Sequence, residues 1–183
     1  MEHPALLLID VQEGLKSDGL GNRNNPEAEV HMASLLQVWR EHAAPVLHVK
    51  HDSTEPESVL RPGLPGNAIQ SSVQPLDSEP LFTKTVNSAF IGTKLEEHLH
   101  QNKIGTLVVV GLTTDHCVSS SVRMASNLGF RVYLVEDGTA TFDRTGPDGQ
   151  HHSAESMHTI HLASLNGEFC SVLNTAQAKA LIA

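Results

Sequence analysis

Short unbroken apolar runs recur along this chain, each separated from the next by a stretch with helical spacing. The first, Ala5-Leu-Leu-Leu-Ile9, stops abruptly at Asp10. A strand with one wet face alternates apolar and polar residues, so a run that is apolar at every position is a strand covered on both sides. Pro45 to Val49, Thr106 to Val110, Phe130 to Val135 and Glu168 to Leu173 read as further strands, with a short one at Leu81 to Thr83. Between them the spacing predicts helices over Pro26 to Ala43, Thr93 to Asn102, His116 to Leu128, Ser153 to Leu165 and Ala176 to Ile182. In the first helix Val30, Ala33, Leu35, Leu36 and Trp39 form the apolar stripe, with Asn25 as N-cap and Pro26 at the first helical position. In the fourth, Met157, Ile160 and Leu165 share a stripe. Six strands alternating with helices give an α/β fold, a three-layer α/β/α sandwich around a parallel sheet.

The 183 residues fit one domain, 1–183, with no internal repeat and no linker. Residues 52–80 lack periodicity and carry Pro56, Pro62, Pro65, Pro75 and Pro80, which makes them a long functional or flexible loop. Twelve basic against 21 acidic side chains leave a formal charge of −9, which argues against nucleic acid or an anionic membrane as partner. The apolar runs are too short to span a bilayer, so no membrane association is expected. The start, Met-Glu-His-Pro, lacks the basic and apolar regions of an export signal. With only two cysteines, Cys117 and Cys170, no disulfide framework forms, and the expected compartment is the reducing cytoplasm.

In a sheet of this kind ligands bind beyond the carboxyl ends of the strands. Asp10-Val-Gln12 follows the first strand, Lys84 the third, Gly111-Leu-Thr-Thr-Asp-His-Cys117 the fourth and Glu136 to Asp143 the fifth. A carboxylate, an ammonium and a thiol therefore meet one rim. Cys117 opens a helix, where free N–H groups and a nearby Lys84 would favour the thiolate. Asp10 could take the thiol proton and return it to a leaving group, while backbone N–H groups hold an oxyanion. Each residue has a plainer role when taken alone: Asp10 as a turn cap, Lys84 as a solvated charge, Cys117 as a small apolar filler. Cys170, inside Phe169 to Leu173, reads as such a filler. His116 beside Cys117 makes a poor dyad, since adjacent residues at a helix start point apart. His48 and His51, near Asp52, face opposite sides of a strand, so no metal site is expected. No glycine-rich phosphate loop follows a strand, which argues against a nucleotide or dinucleotide cofactor. From their places beside the strand ends, Gln12, Leu15, Phe90, His116 and Phe142 are candidates to line a substrate pocket.

Leu8-Ile9-Asp10-Val11-Gln12, Lys84-Thr-Val-Asn-Ser88-Ala89-Phe90 and Gly111-Leu-Thr-Thr114-Asp115-His-Cys117-Val118, in that order, resemble the isochorismatase-like cysteine hydrolases. The resemblance covers nearly the whole chain. It implies a six-stranded parallel sheet of order 3-2-1-4-5-6 and a triad of Asp10, Lys84 and Cys117. It also implies a non-proline cis peptide between Leu112 and Thr113, and an oxyanion hole made by the N–H groups of Thr113 and Cys117. His51-Asp52-Ser53-Thr54-Glu55 lacks the histidine that would complete a nicotinamidase-type metal site. Cys117 separates the chain from isochorismatases proper, which lack the cysteine, and the loop resembles metal-free streptothricin-hydrolase-like members. The expected activity is cleavage of a C–N bond of a small amide, lactam or carbamoyl compound through a thioester, without metal or cofactor. A non-catalytic or redox-active thiol protein on the same fold, or a metal-independent nicotinamidase, are the competing readings. The loop residues Val59, Leu60, Leu64 and Ile69 read as exposed, which together with the resemblance suggests a homodimer or larger homo-oligomer.

Overall fold

A computed structural model describes residues 3–16 and 18–182. Its strands are β1 (Ala5–Ile9), β2 (Val46–His51), β3 (Leu81–Lys84), β4 (Thr106–Leu112), β5 (Arg131–Ala140), β6 (Arg144–Thr145), β7 (His151–His152) and β8 (Ser171–Leu173). Its helices are α1 (Ala28–Glu41), α2 (Leu95–Gln101), α3 (Ser119–Asn127), α4 (Ala154–Leu165) and α5 (Thr175–Lys179). Six strands pair in parallel in the order β3-β2-β1-β4-β5-β8, which is the expected topology with β8 as its sixth strand. The remaining two, β6 and β7, pair only with each other as a small antiparallel hairpin. Two-residue strands carry no periodicity, and the sequence gives no sign of them.

The apolar run of β1 has a simple cause. Leu7 and Ile9 face one side of the sheet, against α2, α3 and Leu165. Leu6 and Leu8 face the other, against α1 and Ala178 of α5. All five residues are at most 2% exposed, and each fully buried leucine contributes about 1.5–3 kcal/mol of transfer free energy. In α1 the buried stripe is Ala28, Met32, Leu35, Leu36 and Trp39, and Trp39 Nε1 donates to the Pro4 carbonyl at 2.7 Å. Val30, expected on that stripe, is 60% exposed. Nor does Asn25 cap the helix: its Nδ2 crosses to the carbonyls of Glu136 and Thr139, tying α1 to β5 instead. In α4 Ile160 is likewise exposed, and Ala154, His158 and Leu165 are the buried residues. β5 runs five residues beyond its expected end because the polar Glu136, Asp137 and Thr139 hide its continuation.

Register brings the rim together. Ile9 pairs with Val49 and Gly111, and His51 pairs with Lys84. Gly111 is required here: with φ +134°, a Cβ would lie 2.1 Å from the Ile9 carbonyl oxygen. The proline-rich loop is pinned rather than free. Asn67 Nδ2 donates to the Leu60 and His51 carbonyls and to Asp52, and Ile69 pairs with Gln12. Of the apolar residues expected on its surface, Val59 and Leu64 are exposed, while Leu60 and Ile69 are half-buried. No helix among the described residues is long and apolar enough to cross a membrane.

Candidate active site

Three chain turns deliver the reacting groups. β1 ends at Asp10, whose positive φ of 53° turns the chain away from the sheet. β3 ends at Lys84, a fully buried side chain. β4 passes through the cis Leu112–Thr113 peptide into a π-turn, Thr114–Val118, which holds Cys117 ahead of α3. Such π-turns recur at functional sites. The turn is tied on several sides: Ser121 Oγ donates to the Cys117 carbonyl at 2.7 Å, and Thr114 Oγ1 lies 2.9 Å from His158 Nδ1. Asp115, its side chain 2% exposed, accepts from Thr141 and from Arg144 Nε at 2.7 Å. Although burial opposes it, these donors and the nearby His116 hold the Asp115 carboxyl down at about 2.

Lys84 Nζ stands 2.6 Å from Asp10 Oδ2, 2.9 Å from His51 Nδ1 and 3.3 Å from Cys117 Sγ. A buried ammonium needs such partners, since an unpaired charge in the interior costs several kcal/mol. Burial raises the Asp10 carboxyl above its ordinary range, although Lys84 opposes the shift. Asp10 Oδ1 is buried and has no close hydrogen-bond donor among the described residues, and the Asp10 carboxyl interacts with the Cys117 thiol, so it is an acceptor open to the thiol proton. Burial, reinforced by the Asp10 charge, pushes the Cys117 thiol up to about 12 against the pull of Lys84. Burial thus opposes the thiolate that the helix start and Lys84 favour, which leaves the expected role for Asp10 as proton acceptor. A neighbouring base therefore has to take the thiol proton as sulfur attacks.

These groups open onto a cavity of about 270 Å³. Its lining includes the apolar Leu15, Leu20, Leu60 and Phe142 and the polar His51, Asn87, His116 and Arg144. A larger hollow of about 500 Å³, bounded by Arg40, Val46, Glu79 and Pro80, lies at the opposite ends of β2 and β3 and holds no cysteine.

Of the residues singled out from the sequence, Asp10, Lys84 and Cys117 come together, and Thr113, Leu15, His116 and Phe142 line the cavity. Gln12 and Phe90 do not. Gln12 is fully buried and bonds the backbone of His51 on both sides, its Nε2 donating to the carbonyl at 3.0 Å and its Oε1 accepting from the N–H at 2.8 Å. Phe90 is stacked on Phe130 in the core between α2 and α3, where an aromatic ring buries more apolar area than at a polar rim. The sequence reading missed His51 and Arg144. His51 lies two residues past the expected end of the second strand at Val49, but β2 continues to it and pairs it with Lys84, whereas Arg144 belongs to the hairpin that no local pattern announces.

Asp10, His51 and Cys117 have ligand atoms within 4.8 Å of one another, the spacing of a metal site. They do not fit a metal, because the Lys84 ammonium already sits within 3.3 Å of each. This donor set is the coordination sphere of a lysine.

Residues 4–177 match the Isochorismatase domain. The isochorismatase family protein YrdC of Bacillus subtilis is 44% identical over 176 residues, 96% of this chain and 94% of that protein. A crystal structure of an isochorismatase-family protein from Chromobacterium violaceum superposes with a TM-score of 0.96 at 46% identity, over 100% of this chain and 94% of that one. A streptothricin hydrolase from Streptomyces noursei is 34% identical over 76% of this chain and 50% of its own length.

Proposed function

Because this chain belongs to the isochorismatase family, we propose that it is a cysteine hydrolase cleaving a C–N bond of a small amide, lactam or carbamoyl compound. The observation that carries this reading is the single Lys84 ammonium bridging Asp10 and Cys117 at 2.6 and 3.3 Å. Asp10 takes the Sγ–H proton as sulfur attacks the carbonyl carbon. The oxygen gains the negative charge and is met by the backbone N–H groups of Thr113 and Cys117. The C–N bond then breaks, Asp10 returns its proton to the nitrogen, and a Cys117 thioester remains; ammonia or an amine departs from an open-chain substrate, while the freed amino group of a lactam stays on the acyl chain. Water gives a proton to Asp10 and attacks the thioester. The C–S bond breaks, an acid departs, and the thiol recovers its proton.

Two features support a small, overall neutral substrate. The cavity of about 270 Å³ falls below the usual range for drug-sized ligands, about 300–1,000 Å³. Its charges also cancel in pairs, Lys84 with Asp10 and Arg144 with Asp115. The streptothricin hydrolase among the relatives supports hydrolysis as the reaction class. A redox role is disfavoured, since redox-sensing thiols sit in accessible surroundings that favour the thiolate, whereas burial pushes the Cys117 thiol up. Ammonia and amine release from a panel of small amides, lactams and carbamoyl compounds tests the proposal. Release by the wild type and none by Cys117→Ala is expected; equal release by both overturns it.

A further inference from the structure

We infer that His51 is a positioning residue for the Lys84 ammonium, its third hydrogen-bond acceptor, which holds the charge on the line between Asp10 and Cys117. The inference rests on the triad reading above and extends it to a fourth residue. A lysine ammonium has three N–H donors and no acceptor. Lys84 Nζ has three acceptors around it, Asp10 Oδ2, His51 Nδ1 and Cys117 Sγ. Its side chain is 0% exposed, so bulk water cannot substitute for any of them. Three donors meeting three acceptors fix the rotation of the ammonium. Remove His51 and one N–H is left buried and unpaired. The ammonium then gains by tilting away from its longest and weakest contact, the one to sulfur.

The arrangement dictates the tautomer. Nδ1 accepts from Lys84 only if it carries no proton, which leaves the ring neutral with its proton on Nε2. The Val86 backbone also acts on the ring. Lys84 from β3, Asp10 from β1 and Asp52 beyond β2 are the charged groups that act on the ring, with the Cys117 thiol completing the cluster. A protonated ring would set N–H against N–H at Lys84. The backbone is fixed as firmly as the side chain. His51 is in register with Lys84, and Gln12 clamps both its N–H and its carbonyl. Gln12 thus serves the site through His51, from beneath the cavity.

The test needs no substrate. Alkylation of Cys117 by iodoacetamide at pH 9, assigned by peptide mapping, is followed in the full-length wild type, His51→Leu and His51→Asn. The asparagine carboxamide oxygen can accept near the position of Nδ1; leucine cannot. The expected result is alkylation about tenfold slower in His51→Leu, equivalent to one pH unit in thiol pKa, and within about twofold of wild type in His51→Asn. Equal rates in all three proteins, or Asn as slow as Leu, overturn the inference. A second measurement on the unaltered protein guards against a misfolded variant. Nitrogen NMR of His51 between pH 6 and 8 is expected to show Nδ1 unprotonated and Nε2 protonated; the reverse tautomer overturns the inference. No ammonia or amine release from the amide panel, with the expected order of alkylation rates kept, would instead overturn the hydrolase reading, which separates the two failures.

Discussion

Replacing Asp115 with asparagine removes the charge that fastens the nucleophile turn to the β6–β7 hairpin. The carboxylate is almost fully buried and receives Thr141 and two nitrogens of Arg144. Its carboxyl falls from the ordinary 3.8 to about 2 in the folded chain, and at about 1.4 kcal/mol per pH unit this corresponds to roughly 2–3 kcal/mol of stability. For a chain of this size the substitution should lower the melting temperature at pH 7 by about 5–10 °C. The pH dependence follows from the sign. A carboxyl depressed by folding contributes its stability in full above the unfolded value near 4, and loses it as pH falls toward 2. The gap between wild type and Asp115→Asn in urea unfolding should therefore shrink to about half at pH 3. A gap below about 0.5 kcal/mol at pH 7, the size of an ordinary surface change, or one that does not narrow with acid, would refute this reasoning.

Gly111→Ala should destabilise by about 4 kcal/mol or more, because the new methyl meets the Ile9 carbonyl and would part β1 from β4; a folded variant melting near wild type would contradict the register. Exhaustive chelation should leave both melting and turnover unchanged, since an ammonium holds the position between Asp10, His51 and Cys117. Loss of activity restored by zinc would show that the lysine gives way to a metal.

The sequence announces burial far better than it announces pairing. The runs at Ala5 to Ile9 and Thr106 to Val110 place β1 and β4 because apolar continuity is a local record of cover on both faces. Asp10, Lys84 and Cys117 could be placed at one rim by topology, but their contact spans partners 74 and 33 residues apart, and no local pattern records it. His51 shows the same limit. Treated as half of a metal pair with His48 it faces the wrong way, yet as the residue opposite Lys84 it faces the site. His48 goes elsewhere, to Glu79 at 3.0 Å. Gln12 and Phe90 sit beside strand ends yet miss the cavity, because side-chain direction after a strand depends on the turn that follows. The burial that opposes the Cys117 thiolate is hidden for a related reason. Helix position and a nearby lysine are visible in a sequence, whereas the burial that outweighs them is set by the packed site.

Covalent catalysis by Cys117 shows most directly in the mass of the enzyme caught during turnover of an amide from the panel. Acid quenching followed by peptide mapping should find the acyl group on Cys117, released by hydroxylamine as a thioester is, and absent from Cys117→Ala. Turnover with no acyl group on Cys117, persisting in Cys117→Ala, would rule out a Cys117 thioester.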